Sequence, residues 1–507
     1  MIIAEITESY FLEIRSRAEA LKGQCEYLLT HEYASEAPKN LAKAFVEMAC
    51  FFQMAALSIY KDMESDLADS PQDIEKSIQQ LRTLDNDIAL IGQHVQFINS
   101  ARSQRVPWSI IPAFEHFANK ILCDNDNGLD IMFCPLWEYN YQIYTTDFRG
   151  FYLQLLQKYQ HFPGIDIDIE KDVLTSLKRP FYVIRFPSLE RLNIRLHANI
   201  GHELGHKATS TFFTSQRKNE FIDSIHGDIN DFVSRQYTQI TPISRLSILK
   251  EHLGSSVEIW HRALDEILCD IVSCILFGPA AIFSMFDFAI KDKLDHMPNK
   301  DVGFYPPWRY RLRMAIEALE KYCGNYFPLK KELKARGKST DTIHKVEEYY
   351  DFIKTLTGLP NVDELIKHDE LTKLVYDKLP AWIDNGVDFL LNTKGLRNHL
   401  LTATELFENL PYLIERLENG IIPNAKEENI NCRASASFAE IINSAWFYWL
   451  SKQEPVFSED GSFNDEVYKA RVRMNNLSLK AIEYSQLEQR YREKFGAAKE
   501  VTGNEYL

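Results

Sequence analysis

The sequence has no pair of cysteines spaced as CxxC, and its eight cysteines lie far apart among 507 residues. This pattern excludes the dense disulfide framework of small secreted domains. The first residues, Met1 to Ile6, also lack the basic flank and the uninterrupted apolar core of a secretion signal. We therefore expect reduced thiols and a cytoplasmic location.

A long apolar run is missing as well. The longest one extends from Ile271 to Phe286 and contains a Gly278-Pro279 break. It is shorter than the roughly 20 residues that a membrane-spanning helix needs. We therefore expect no membrane association.

Basic residues are too few to balance the acidic ones. The chain has 57 Lys and Arg against 72 Asp and Glu, so its net charge is -15. A negative chain repels a phosphate backbone unless a local basic patch compensates. Nucleic acid is therefore not an expected partner.

The length and the apolar content favour several domains, because 507 residues exceed what one hydrophobic core usually organises. Helical periodicity runs from Glu5 to about Leu122, and the turn-forming residues 124–128 follow it. Helical periodicity returns beyond about Cys323. We predict an N-terminal helical bundle, a central core and a C-terminal helical domain, over residues 1–125, 126–325 and 326–507.

The central region is the only part with strand character. Residues 129–147 and Phe181 to Phe186 are rich in aromatic and β-branched residues. A long helix is predicted from about Leu189 to Phe212, and another from a capping box at Ser255 to Gly278-Pro279. The predicted fold class is therefore mainly α with a small β-sheet (α+β).

One short segment carries metal chemistry: His202-Glu203-Leu204-Gly205-His206. Two histidines four residues apart on a helix project from one face, where a single tetrahedral metal can take both imidazoles. Glu203 lies beside the first histidine and can accept a proton from the attacking water without binding the metal. Only three of the five residues are constrained, so a third ligand must support the interpretation.

The third ligand is predicted on a second helix. The extended pattern HExxHxxGxxH is excluded, because the chain has Thr209 and Phe212 where it needs Gly and His. The segment from Asp265 to Asp270 instead supplies two acidic residues four apart, Glu266 and Asp270. Glu266 is predicted to bind zinc, and Asp270 to accept a hydrogen bond from a ligating histidine.

Other residues remain possible as the third ligand, with Glu220 the first alternative. For Asp270, the competing interpretation is an ordinary polar or capping role. For the motif of His202, Glu203 and His206, it is a solvated helical face whose spacing is accidental. The remaining alternative ligands are His252, Glu258, His261 and Asp265.

These residues resemble the gluzincins, the thermolysin-like clan of zinc peptidases with HExxH followed by ExxxD on a separate helix. The resemblance covers about residues 180–315. It implies a zincin-like core between the helical flanks, one Zn²⁺ ion, and a protein or peptide substrate. It also implies that Phe181 to Phe186 is an edge strand that holds an extended peptide.

A second similarity follows in residues 305–312. This segment looks like the His-Pro-x-x-x-x-Arg-Ile segment of membrane-associated heat-shock and prenyl-protein peptidases of that clan, with Tyr305 at the histidine position and Arg311 at the arginine position. Since those relatives have transmembrane helices, their substrates are not carried over. Tyr305 and Arg311 are the first candidates for the donor that stabilises the oxyanion, and His296 is a further one.

The expected function is hydrolysis of a peptide (amide) bond by metal-activated water, with Glu203 as general base. The alternative is a catalytically inactive, zinc-containing helical scaffold that binds a partner or another copy of the chain through its helical flanks. A third possibility is an effector in which the bundle of residues 1–125 regulates access to the cleft.

Overall fold

Two compact units make up the computed structural model, Met1–Arg191 and Leu192–Leu507. Most described residues are helical, and the sheet that they form has three strands, which confirms a mainly α fold with a small β-sheet. The residues described are 2–66, 71–122, 130–159, 177, 181–239, 241–291, 294–324, 341–358, 369–426, 435–451 and 464–502.

The first unit combines helices with the sheet. Four of its helices lie in the region where the sequence predicts a bundle, and the strands follow them. The helices are α1 (Ile2–Leu29), α2 (Ala37–Asp66), α3 (Pro71–Ser100), α4 (Ile111–Leu122) and α5 (Phe148–Tyr159); the strands are β1 (Asp130–Leu136), β2 (Gln142–Thr146) and β3 (Phe181–Pro187).

Strand β3 lies in the middle of the sheet, between β1 and β2. It pairs with β1 in parallel and with β2 in antiparallel orientation. The prediction that Phe181 to Phe186 forms an edge strand is therefore wrong, because neighbours use the hydrogen-bonding groups on both of its sides. Its nearly continuous apolar sequence is typical of a strand that is buried on both faces.

Four helices of the first unit, α1, α2, α3 and α5, share one hydrophobic core with strands β1 and β3. Phe45 of α2, Met132 of β1, Phe148 of α5 and Val183 of β3 all belong to it. This core includes residues on both sides of the predicted border near residue 125. The predicted turn at residues 124–128 lies outside the described residues.

Helix α2 contains a segment, Ala37–Asp62, that is long and apolar enough to cross a membrane by length and composition. In the most apolar 18-residue stretch of that segment, 61% is buried in the structure. Phe45 and Phe52, for example, are fully buried in the core of the first unit. Burial of this kind is typical of a core helix as well.

The second unit is built around one long helix, α8 (Pro242–Phe277). Helices from both sides of the predicted border at residue 325 pack against it. The helices are α6 (Ile200–Thr209), α7 (Ser215–Gln236), α8 (Pro242–Phe277), α9 (Pro279–Ala289), α10 (Trp308–Ala318), α11 (Asp341–Gly358), α12 (Glu370–Asp388), α13 (Ala403–Glu418), α14 (Phe438–Ser451) and α15 (Asp465–Thr502).

The motif helix α6 is shorter than predicted. The predicted helix from Leu189 to Phe212 is wrong before Ile200, where Ile194–Asn199 form a tighter 3₁₀ turn. The carbonyl of Arg195 accepts hydrogen bonds from Ser284 Oγ (2.6 Å) and Trp446 Nε1 (2.9 Å). Because side chains of other helices donate hydrogen bonds to this carbonyl, the segment does not need the regular α-helical hydrogen-bond pattern.

Helix α8 begins earlier than predicted. Its N-cap is Thr241, whose side chain accepts a hydrogen bond from the Ser244 backbone N–H (3.3 Å), and Pro242 follows as the first helical residue. The capping box predicted at Ser255 is wrong, since that residue lies inside the helix. The predicted end is confirmed at Gly278, which has a φ of 57°.

Glycine allows α6 to lie unusually close to α8. A Cβ atom on Gly205 would lie 2.6 Å from the Cα atom of Cys269, and one on Gly201 would lie 2.9 Å from the Phe277 ring. The first contact is with backbone, so it cannot be relieved by a side-chain rotation. Gly205 is therefore required for the approach that brings His202 and His206 to the acidic face of α8.

We expect Gly205→Ala to lower the free energy of unfolding by about 2 kcal/mol or more, because overpacking forces the two helices apart. The matched control is Gly254→Ala on α8, where nothing lies within 4 Å of the added methyl group. Since alanine is the better helix former, the control should gain about 0.5 to 1 kcal/mol. Urea unfolding followed by circular dichroism compares them, and equal midpoints would contradict the packing argument.

Candidate metal centre

Three helices of the second unit bring the predicted site residues together. Helix α6 carries both histidines of the motif, α8 carries Glu266 and Asp270, and α10 carries Arg311. The sequence therefore predicted a set of residues that the structure does place side by side. The contacts among them determine what each residue can do.

His202, His206 and Glu266 form a group that can hold a metal ion, with one ligand atom from each lying within 4.8 Å of the others. His202 Nε2 lies 3.4 Å from Glu266 Oε2. That distance is long for a hydrogen bond. It matches the separation of about 3.4 Å between two ligand atoms of a tetrahedral zinc ion with bonds of about 2.0 to 2.2 Å.

A carboxylate contacts the Nδ1 atom of each imidazole, on the side of the ring away from Nε2. His202 Nδ1 lies 2.7 Å from Asp270 Oδ1, and His206 Nδ1 lies 2.9 Å from Asp265 Oδ2. With Nδ1 as the donor in each case, the neutral imidazole presents an unprotonated Nε2 to a metal. Such carboxylate partners fix the tautomer of a ligating histidine and raise its basicity. Asp270 therefore lies where the sequence predicted it.

The role of Asp265 is one that the sequence did not reveal. It was considered only as an alternative ligand, whereas the structure places it behind His206, the counterpart of Asp270 behind His202. Its other oxygen, Oδ1, accepts a hydrogen bond from Thr209 Oγ1 (2.7 Å). The only sequence feature that could have indicated this role is the spacing of five residues between the two aspartates of α8. That spacing does not show which aspartate contacts which histidine unless the position of α6 is known.

Arg311 also differs from its predicted role as an oxyanion donor. Its Nε and Nη2 atoms donate to Asp270 Oδ2 and Oδ1, both at 2.8 Å, and Nη1 lies 3.3 Å from Glu266 Oε2. The guanidinium group is thus directed at two carboxylates, Asp270 behind His202 and the ligand candidate Glu266. These contacts favour a positioning role, in which Arg311 orients Asp270 and through it His202.

The buried carboxyl groups of α8 remain ionised despite their burial. Burial alone would raise the pKa of Glu266 and Asp270, but the positive charges of Arg311 and His202 lower both pKa values. Burial likewise lowers the pKa of His202, yet Asp270 and Glu266 outweigh it and raise this pKa to about 10. The histidine and the carboxylates therefore stabilise one another's charged forms.

Glu203 is buried on α6, next to His202. Burial raises its pKa, while the neighbouring His202 and His206 act in the opposite direction. A carboxyl group with a raised pKa binds a proton more readily than an exposed glutamate does. This property suits a group that must accept a proton and give it up again.

Tyr305 lies near Glu266, with 39% of its surface exposed. Burial of its hydroxyl and the charge of Glu266 raise the pKa of Tyr305 to about 12, so the hydroxyl stays protonated and can donate a hydrogen bond. His296, the further donor candidate, contacts the backbone carbonyl of Tyr305 through Nε2 (3.1 Å). That contact makes His296 a support for Tyr305.

Four of the five alternative ligands lie elsewhere. Glu220 accepts a hydrogen bond from Gln216 (2.8 Å), and the ring of His252 packs against Phe232 with centroids 5.4 Å apart. Within the described ranges, neither they nor Glu258 or His261 belong to a group of residues close enough to share a metal. Glu266 is the carboxylate that the structure brings to both histidines.

A second cluster combines His206 and Asp265 with Cys269, whose Sγ lies 3.3 Å from His206 Nδ1. Burial and the surrounding carboxylates raise the pKa of the Cys269 thiol well above its usual value. A protonated thiol is not a metal ligand. Because Asp265 and Cys269 face the Nδ1 side of His206, this cluster supports the imidazole from behind.

The residues therefore fit a zinc ion. Glu266 Oε1 is buried and has no hydrogen-bond partner among the described residues, although Arg262 Nη1 lies 3.5 Å away. The histidine side chains are 14% and 27% exposed, so neither imidazole is fully enclosed. Three protein ligands and one accessible side are typical of catalytic rather than structural zinc sites.

Comparisons with models of protein families, with curated proteins and with solved structures yield no match to this chain. The chemistry of the centre must therefore be argued from its own residues.

We expect Asp270→Asn to lower zinc affinity about 10-fold to 100-fold, because the amide no longer orients His202 as a charged carboxylate does. The matched control is Cys269→Ala, which should bind zinc as the unchanged protein does if the thiol is no ligand. Competition with a chromophoric chelator measures both affinities. A thiolate charge-transfer band in the cobalt-substituted protein, lost in Cys269→Ala, would contradict this ligand set.

Proposed function

We propose that this chain is a zinc-dependent hydrolase that cleaves a peptide (amide) bond. The observation that carries the proposal is the pair of motif histidines held through Nδ1 by carboxylates, with Glu266 Oε2 3.4 Å from His202 Nε2. The resemblance of the two motif segments to the gluzincins supports the same reaction. His202, His206 and Glu266 would hold the metal.

A bound zinc ion supplies Lewis-acid polarisation of the scissile carbonyl and makes water more acidic. Glu203 takes the proton of the attacking water and later returns it to the leaving amine. The neutral hydroxyl of Tyr305 donates a hydrogen bond to the carbonyl oxygen as negative charge develops on it. Arg311 and Asp270 keep His202 oriented throughout.

The alternative is a zinc-containing scaffold without catalysis. A structural zinc site usually has four protein ligands and no open position. The three ligands proposed here, with partly exposed histidines, favour catalysis instead. Unchanged binding of a partner by His202→Ala, together with no cleavage of any peptide, would support the scaffold.

We expect Glu203→Gln to retain one zinc ion per chain and to lose about 100-fold to 10,000-fold in turnover, because the amide cannot accept the proton. Glu220→Gln is the matched control, since Glu220 is exposed and lies outside the ligand group. Metal content is measured by atomic emission, and turnover by mass spectrometry of a random peptide library. Full activity of Glu203→Gln would refute the mechanism.

We expect Tyr305→Phe to lower kcat about 100-fold with little change in KM or zinc content, because the lost donor acts mainly on the transition state. Tyr237→Phe serves as the control, since that tyrosine is similarly exposed (37%) and lies after α7. Steady-state kinetics on a peptide cleaved by the unchanged protein decides the matter. An increase in KM alone would mean that Tyr305 only binds the substrate.

A further inference from the structure

A groove with a volume of about 500 Å³ opens in the second unit, next to the metal centre. It lies between the start of α7, the middle of α8 and the segment that leads to Tyr305. We call it the basic groove. The side chains that matter here are those of Lys218, Glu258, His261, Arg262, Lys300 and Phe304.

Arg262 connects the groove to the metal centre. It precedes Glu266 by one helical turn, and its Nη1 atom lies 3.5 Å from Glu266 Oε1. Its guanidinium group also lies 4.8 Å from the centre of the Tyr305 ring. A molecule seated in the groove is therefore in contact with a residue that touches both Glu266 and Tyr305.

The charge of the groove is opposite to that of the chain. Lys218, Arg262 and Lys300 line it against a single carboxylate, Glu258, although the chain as a whole has a net charge of -15. In the part of the chain that the structure describes, neither Lys218 nor Lys300 forms an ion pair with a carboxylate. Both ammonium groups are thus available to an anion from outside.

The wall opposite α8 is held in a strained conformation. Phe304 has a φ of 58° and is the only residue other than glycine with a positive φ among those described. Its N–H donates to the carbonyl of Asn299 (2.8 Å), whose side chain also accepts from Asp301 N (3.0 Å) and Val302 N (3.2 Å). Strain of this kind persists where the surroundings impose it, often at functional sites.

Apolar surface accompanies the positive charge. The groove is also lined by Phe213 and Trp260, and Phe213 packs on His261 with ring centroids 4.3 Å apart. Aromatic walls with a few cationic groups suit a peptide segment that contains a carboxylate, because the walls bury its methylene groups while the cations pair with the charge. Water alone would satisfy the cations less specifically.

We propose that the basic groove binds a carboxylate of the substrate and so makes the hydrolase selective for acidic peptides. This inference rests on the proposed function, since it assigns the substrate class of the same centre. The carboxylate belongs either to an acidic side chain or to the C-terminus of the peptide. Lys218 and Lys300 are the specificity residues, and Arg262 orients the bound segment beside Glu266.

The test uses libraries of short random peptides with a central Glu or Gln, each made with a free or an amidated C-terminus. Binding is measured by fluorescence anisotropy on zinc-loaded Glu203→Gln protein, so that cleavage does not interfere. We expect the Glu peptides to bind about fivefold more tightly than the Gln peptides. The double variant Lys218→Met/Lys300→Met should lose this preference but keep its affinity for the neutral peptides.

Lys250→Met is the control, because Lys250 is an exposed lysine of α8 that does not line the groove. It should keep the preference. The zinc content and the thermal midpoint of the double variant verify that it is folded, as expected for changes at two exposed positions.

A preference for free over amidated termini, in place of Glu over Gln, would assign the carboxylate to the C-terminus of the substrate. Equal binding of all four libraries, or a preference that survives in the double variant, would overturn the proposal. Absence of cleavage by the unchanged protein would contradict only the proposed hydrolysis, since the charge preference is read from binding.

Discussion

One buried carboxylate, Asp270, connects the three helices that carry the candidate metal centre. It lies on α8, contacts His202 of α6 at 2.7 Å and accepts two hydrogen bonds of 2.8 Å from Arg311 of α10. Leaving a carboxylate buried without partners would cost several kcal/mol, so both contacts must be present for this core to form. The orientation of His202 therefore depends, through Asp270, on Arg311, which lies more than 100 positions later in the chain.

Polar contacts surround the Nδ1 atoms of both histidines. Asp265 contacts His206, while Asp270 contacts His202 and accepts hydrogen bonds from Arg311. Tyr305 is partly exposed and contacts Arg262, which also lines the basic groove. Polar groups thus replace part of the apolar packing between α6 and α8, and Gly205 permits the close approach that this arrangement requires.

Much of the centre could be predicted from the sequence, because helical spacing is a local property. His202 and His206, and likewise Glu266 and Asp270, are four residues apart and share a helix face. The limits of the helices were less predictable. The carbonyl of Arg195, before α6, accepts hydrogen bonds from side chains of distant helices. The N-cap of α8 is Thr241, and the first turns after it have exposed apolar residues, so they do not look amphipathic in the sequence.

The sequence by itself determined the mainly helical class and the motif residues, since both follow from composition and from periodicity within single helices. Tertiary structure decided which carboxylate supports which histidine, that Arg311 lies behind the ligands, and that β3 has neighbours on both sides. The contacts at the metal centre join residues that are 59 to 109 positions apart in the chain. Only the packing of α6, α8 and α10 brings these residues together. No local pattern encodes such contacts.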